Sequence, residues 1–440
     1  MHLGRAWLLG GWLLGVGTLC GEEVLTLEGA WQTALKNSLS LQQIDILQQR
    51  AAHEVAIQKA AYFPDVSAVG SYAYTSDVAR ISLPFPTGQP QIEAGTRNRY
   101  DVALGVDQPV FTGFRTQHLV AAAQKQLGAE RAQHAVVQQA ILFQVGAIYY
   151  QLQHNRLKQQ VIEQAIGRAQ IHIDRVNRLY DGAQKTAFDT LEVANRKLQL
   201  LGQVQTLHHQ HGILIAQLAR ALYVEGDIDV VSMAVDAVVM DMLPLSFYVN
   251  QALQNRPELA HFDSLLQAQS HRISAQKSVL WPQVYASAAM HYGRPGVDAF
   301  KNQWMGYVTL GASVRWRFWD WGEDRSRIAQ ARLDSSLVWL KKQQEITDIR
   351  QAVTEVYRQL ASVRDQMGVQ KQQVAQEQLR YHLVRNQFEL GQATSLDLSD
   401  AEKTLAAAEL ALQEYTVSWW VWDLHMQFVT GTLGQKISGG

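Results

Sequence analysis

Apolar residues recur at spacings of three to five along two long stretches of the chain. In the first, Val136, Ala140, Ile141, Val145, Ile148, Leu152, Leu157, Val161, Ile162, Ala165 and Ile166 form such a series, and in the second Ile346, Ile349, Val353, Val356, Leu360, Val363, Met367, Val374 and Leu379 do the same. This spacing predicts helices with coiled-coil-like packing. All nine prolines fall outside 110–243 and 296–440, so nothing breaks a helix within those blocks. Each block is interrupted once, at LYDGAQKT (179–186) and at FELGQATS (388–395). A Gly three residues after an apolar side chain stops a helix, and Thr186 or Thr394/Ser395 can start the next one. Arg115 to Leu179 is 65 residues, about 100 Å of helix, and Arg325 to Phe388 matches it. The pattern predicts two helical hairpins, each with one very long arm.

Just before each long helix the period falls to two. Tyr100, Val102, Leu104 and Val106 alternate with Asp101, Ala103, Gly105 and Asp107. Later, Trp304, Val308, Leu310, Ala312, Val314, Trp316 and Phe318 alternate with Thr309, Ser313, Arg315 and Arg317. Apolar residues on one face and polar ones on the other describe a strand between lipid and a wet lumen. Partner strands run from Val66 to Tyr74 and from Val284 to Tyr292, and aromatics gather at strand ends (Tyr72, Tyr74, Tyr100, Trp281, Tyr292, Trp304, Trp316, Trp319). The Pro- and Gly-rich segment 80–99 is expected to be a long outer loop. Four strands cannot close a barrel, and an open edge in lipid is costly, so copies of the chain must associate through their sheet edges.

The two halves are a duplication. At an offset of 218, residues 37–68 and 255–286 share Asn37/Asn255, Leu41/Leu259, His53/His271, Gln58/Gln276, Lys59/Lys277, Pro64/Pro282 and Val66/Val284, among others. A repeat of this size is an architectural half, much longer than a solenoid unit. The expected organisation is a signal peptide over 1–21, then a first repeat over 22–238 with a strand hairpin at about 65–111 and a helical hairpin at about 114–222. A second repeat over 239–434 follows, with a strand hairpin at about 283–318 and a helical hairpin at about 322–430.

Composition narrows the class. Net charge is −1 with 18% charged residues, which offers no basic surface for nucleic acid. Arg5, the apolar run Ala6 to Val16 and the small or polar residues after it have the layout of a secretory signal. No later run approaches the ~20 apolar residues of a spanning helix. Cys20 is the only cysteine, so no intramolecular disulfide forms. Its place near the cleavage region makes it a candidate lipidation site, although GTLC lacks the usual Leu three places before; cleavage that removes Cys20 is the other reading.

The residues together resemble the TolC-like outer-membrane efflux protein family over nearly the whole chain, about Thr26 to Gly434. The motifs are LTLEGAWQTALKNS and its echo PLSFYVNQALQNRPEL, Pro64 and Pro282, the strand-to-helix junctions QPVFTGFR (108–115) and WRFWDWGEDR (316–325), and FDTLEVA (188–194) and LDLSDA (396–401) after the helical tips. The resemblance implies a mainly helical fold, a long antiparallel coiled-coil barrel joined to a transmembrane β-barrel of four strands per chain and twelve per homotrimer. It implies passive conduction of substrates expelled by an inner-membrane transporter through a periplasmic adaptor, with residues 223–250 and the C-terminal segment forming a band around the tunnel. Multidrug or small-molecule efflux is the favoured cargo class, and type I protein secretion is the alternative. Asp397 and Asp400 match the family's acidic pair at the periplasmic constriction, and Asp189 matches a similar position after the first tip, with one extra residue there. Gly182, Leu390 and Gly391 match tip residues that meet adaptor hairpins. Asp181 stands where an apolar residue is expected, and Ala393 stands where many relatives carry an entrance-closing arginine. Lys185, Tyr180 and Arg385 are alternatives for that closing contact.

The same acids have a plainer reading as helix N-terminal residues favoured by the macrodipole. An enzyme is not indicated: HEVAI (53–57) lacks the second histidine of a zinc-protease helix, and there is no CxxC or nucleophile elbow. No catalytic residue, cofactor or metal is expected. His208, His209 and His211 could form a metal patch, but read better as polar surface, and His53 and His271 as packing or capping residues. A periplasmic adaptor or structural coiled coil would share the helical hairpins but lack lipid-facing strands.

Overall fold

The computed structural model describes residues 23–82, 91–225, 228–233, 241–298 and 300–434. The expected signal peptide and Cys20 lie outside them. The chain divides into two compact units, one from Met1–Asn37, Leu142–Asp241 and Leu360–Leu424, the other from Ser38–Ile141, Met242–Gln359 and His425–Gly440. Each long helix contributes residues to both.

The first unit holds a small parallel pair, β1 (Glu23–Leu25) with β6 (Ile228–Val230), and α1 (Leu27–Asn37). Its bulk is helical: the C-terminal part of α3 (Arg115–Asp181), α4 (Ala187–Leu222), the C-terminal part of α7 (Glu323–Glu389), and α8 (Ser395–Val429) up to Leu424. Side chains at helical spacing interlock here. Val176, Val193, Tyr381, Phe388, Leu398 and Leu405 form one buried cluster, and Ile162, Ala165, Ala169, Leu200 and Ala406 another. Of the expected band at 223–250, residues 228–233 lie along α3. Tyr149 donates to the Val231 carbonyl at 3.1 Å, and Gln153 donates to the same carbonyl at 2.7 Å while accepting from the Met233 amide at 3.0 Å. Arg156 reaches the Val230 carbonyl and the Asp229 carboxylate.

The second unit joins α2 (Leu39–Ala60), α5 (Leu245–Asn255), α6 (Pro257–Lys277) and the N-terminal parts of α3 and α7 to a four-stranded antiparallel sheet. The strand order is β2 (Asp65–Tyr74), β5 (Asn98–Phe111), β7 (Gln283–Arg294), β8 (Met305–Arg315). Two differences from the sequence reading appear. Part of the expected outer loop is a ribbon, β3 (Ala79–Ser82) with β4 (Gln91–Ala94). And β8 stops at Arg315, short of Phe318, because Gln283, the first residue of β7, its only partner among the described residues, already faces Arg315.

Register gives the sheet two unlike faces. Opposite residues share a face, so Val66, Tyr72, Val102, Leu104, Val106, Met290, Tyr292, Val308, Leu310 and Val314 lie on one side. Asp65, Ser71, Asp101, Asp107, His291, Thr309, Ser313 and Arg315 lie on the other. On the polar face His291 Nδ1 is 3.2 Å from Asp101, its Nε2 is 3.3 Å from Thr309 Oγ1, and Tyr307 stacks on the ring at 4.7 Å. The apolar face has no cover among the described residues: Val66, Val308 and Val314 are each more than 60% exposed. The outer edges of β2 and β8 are likewise unpaired among the described residues.

The duplication persists at residue resolution. Asp65 faces Asp107 in the first hairpin and Gln283 faces Arg315 in the second, so the first strands differ by 218 and the second strands by 208. The same 208 relates α3 to α7, both of 67 residues, and Ala187 to Ser395 at the starts of α4 and α8. The ten extra residues of the first half therefore lie in its strand hairpin. At each strand-to-helix junction two successive residues take positive φ: Gly113 (63°) with Phe114 (66°), and Trp321 (56°) with Gly322 (89°).

Candidate functional site: the helical tips

Both tips are closed by the same hydrogen-bond scheme. After α3, the Ala183 amide donates to the Tyr180 carbonyl and the Gln184 amide to Leu179, each at 2.8 Å. After α7, the Gly391 amide donates to Phe388 at 3.1 Å and the Gln392 amide to Gln387 at 2.8 Å. This closure needs one left-handed residue, which is Ala183 (φ 62°) in the first tip and Gly391 (φ 76°) in the second.

The tips therefore align without an inserted residue, which corrects the sequence alignment. Gly182 is the counterpart of Leu390, Ala183 of Gly391, and Lys185 of Ala393. Asp189 is the counterpart of Asp397, and Glu192 of Asp400, so an acidic pair follows both tips. Leu390 is 73% exposed, and the glycine in its place leaves the first tip without that apolar side chain.

The acids have local partners. Thr186 caps α4: its Oγ1 accepts from the Asp189 amide, and the Asp189 carboxylate accepts from the Thr186 amide at 2.9 Å and hydroxyl at 2.8 Å. Thr394 and Asp397 repeat the box, with 2.8 Å and 2.6 Å. The bonds from Thr186, the backbone one foremost, hold the Asp189 carboxyl below its usual range; at Asp397 the Thr394 hydroxyl contributes most to the same effect. Asp400 instead accepts from Arg380 at 2.8 Å on the exposed face of α8. Between the first turns of α4 and α8 lies an open groove of about 510 Å³, lined by Phe188, Leu191, Glu192, Leu396, Asp400 and Lys403.

Behind the tips sits a polar core that the sequence did not announce. His172 is buried with Nδ1 3.5 Å from Glu402 and Nε2 3.3 Å from Ser395 Oγ, and the Phe388 ring meets it edge-on at 5.3 Å. Arg168 holds Glu409 through two bonds of 2.7 and 3.4 Å. Of the three residues considered for closing contacts, Lys185 lies 5.1 Å above the Phe388 ring, tying the first tip to the end of α7. Arg385 stands over Tyr381 at 6.0 Å and 3.9 Å from Glu389, and Tyr180 is 47% exposed.

His211 lies 3.7 Å from Asp229, and burial pushes its pKa down. Among the described residues no three His, Cys, Asp or Glu side chains are placed to hold a metal ion, and no helix is long and apolar enough to cross a membrane. The clamp of Tyr149, Gln153 and Arg156 on residues 228–233 escaped the sequence reading, because three-residue strands leave no period to detect.

A family model described as outer membrane efflux protein matches residues 30–222 and 248–420. The outer membrane efflux protein BepC of Brucella suis biovar 1 is 24% identical over 413 residues, covering 91% of this chain and 84% of that protein. The toluene efflux pump outer membrane protein TtgC of Pseudomonas putida is 23% identical, covering 87% and 78%. Among solved structures, CusC, described as forming a transmembrane channel, superposes with a TM-score of 0.76 at 15% identity, over 92% of both chains. The chain belongs to the outer membrane efflux protein family.

Proposed function

We propose that three copies of the chain form one conduit, in which twelve strands close a barrel in the outer membrane and the helical hairpins continue it into the periplasm. The observation that carries this reading is the four-stranded sheet with an uncovered apolar face, a polar face and two open edges. In lipid each unpaired backbone group costs several kcal/mol, so closure needs further copies. The conduit carries no chemistry of its own. It conducts what an inner-membrane transporter and a periplasmic adaptor deliver, and the name of one relative, a toluene efflux pump protein, favours small molecules over secreted protein.

The tips are the proposed gate and the docking end for the adaptor, through Gly182, Leu390 and Gly391. Leu390 is the large apolar side chain among these, so docking is stronger at the second tip. Asp189, Asp397 and Asp400 are the proposed acids of the constriction. Asp189 and Asp397 keep their full negative charge because their caps are neutral threonine groups, whereas Asp400 shares its charge with Arg380. Planar-bilayer recording of the purified protein tests the reading. Discrete, cation-preferring openings are expected, and Asp397→Asn with Asp400→Asn should reduce that preference; unchanged conductance and selectivity would remove these acids from the constriction.

A further inference from the structure

The chain contains its own template for the seam between copies. Inside it, the last strand of the first half, β5, pairs with the first strand of the second half, β7: Asp107 faces Ser287, Val106 faces Ala288, and Gly105 faces Ala289. The second half ends in β8 and the first half begins with β2, and these are the two open edges. Applying the offsets of 208 and 218 converts each intrachain pair into a pair between chains.

The geometry points to a defined register for this seam: Arg315 of one copy opposite Val69 of the next, Val314 opposite Gly70, and Ser313 opposite Ser71. This rests on the trimer reading and adds to it a residue-level interface. Face parity supports it, since Ser71, Ser313 and Arg315 all lie on the polar side. The ends of the strands support it too. Residues Gln108–Phe111 of β5 pair only with β7, and their counterparts Trp316–Trp319 are the residues that β8 leaves outside the sheet. They wait for the next copy's β2, with Trp316 opposite Ala68 and Arg317 opposite Ser67. Trp316, Phe318 and Trp319 are 58–81% exposed in the single chain, as an unfilled interface would leave them.

Below that point the two kinds of seam diverge. A Cβ on Gly113 would stand 2.6 Å from the Ser278 carbonyl oxygen and 2.9 Å from Trp281 Cβ. Its counterpart is Trp321, and the counterparts of Ser278 and Trp281 are Ala60 and Phe63 of the next copy. A tryptophan cannot enter where a methyl group already clashes, so the seam between copies opens at Trp321, and the junction ring is threefold instead of sixfold.

Paired cysteines in the full chain, in outer membranes, test the register. Ser313→Cys with Ser71→Cys, and Val314→Cys with Gly70→Cys, cover both kinds of antiparallel pair. Three strand spacings, about 14 Å, separate β2 from β8 within one chain, so no intrachain disulfide can form. Covalent dimers and trimers are expected on non-reducing gels from at least one of these pairs, and none from the single-cysteine variants. Ser313→Cys with Val69→Cys or Ala73→Cys, two residues out of register, should give at least fivefold less. Equal or better cross-linking by a shifted pair, or none from either predicted pair in a protein that is trimeric by mass, overturns the register. A monomer by mass overturns the assembly reading and the register with it.

Discussion

Ala183 and Gly391 occupy the same left-handed position in the two helical tips, at φ 62° and 76°. One half of the chain uses the residue suited to that backbone, and the other strains an alanine into it. A Cβ in this region costs an L-residue about 1–2 kcal/mol, and at Gly391 nothing lies within 4 Å of the added atom, so strain is the whole effect in the folded state there. Ala183→Gly should stabilise the first tip by somewhat less than about 1 kcal/mol, once the freer unfolded chain is counted, and Gly391→Ala should destabilise the second by about 1 kcal/mol. Hydrogen exchange of the Gln184 and Gln392 amides reads the two effects separately.

The capping boxes make a second expectation. Thr186→Ala and Thr394→Ala each remove an acceptor for a helix N-terminal amide and should cost about 1 kcal/mol. Faster amide exchange over the first turn of α4 or α8, with no change in the strands, is the expected signature.

Acid should loosen the tip-bearing helical unit in two stages. Burial lowers the pKa of His154 and His211 from 6.5, so the unfolded chain takes up these protons first, and stability falls as pH drops below about 6.5. The carboxyls of Asp189 and Asp397 are held below 3.8, so their contribution is present above that value and is lost as pH falls through their folded pKa. Unfolding followed from pH 8 to pH 3 checks the order. His211→Gln should remove part of the first stage.

The Arg168–Glu409 pair lies largely out of water, with side chains 16% and 14% exposed. Glu409→Ala leaves a guanidinium facing the core and should cost about 2–3 kcal/mol. Arg168→Met combined with Glu409→Leu should recover most of that loss in denaturant unfolding, because both charges then leave together.

Much of the architecture was legible because its signals are long. Two proline-free blocks with apolar spacings of three to five marked α3 and α7, and alternation marked β5 and β8. What escaped was short or conditional. The β1–β6 pair has three residues per strand, and the β3–β4 ribbon sits in a segment whose prolines read as loop. The tip alignment failed for a physical reason: glycine is the usual left-handed residue, so residue type matches Gly182 to Gly391, whereas the backbone assigns that conformation to Ala183. The strand reading through Phe318 describes a sheet with a partner along β8, which one chain does not contain.

The most direct test of the central claim is the mass of the detergent-solubilised full-length protein. Three chains per particle is the predicted result, the number that turns four strands into a closed barrel of twelve. A stable monomer or dimer, folded and extracted from outer membranes, would contradict it.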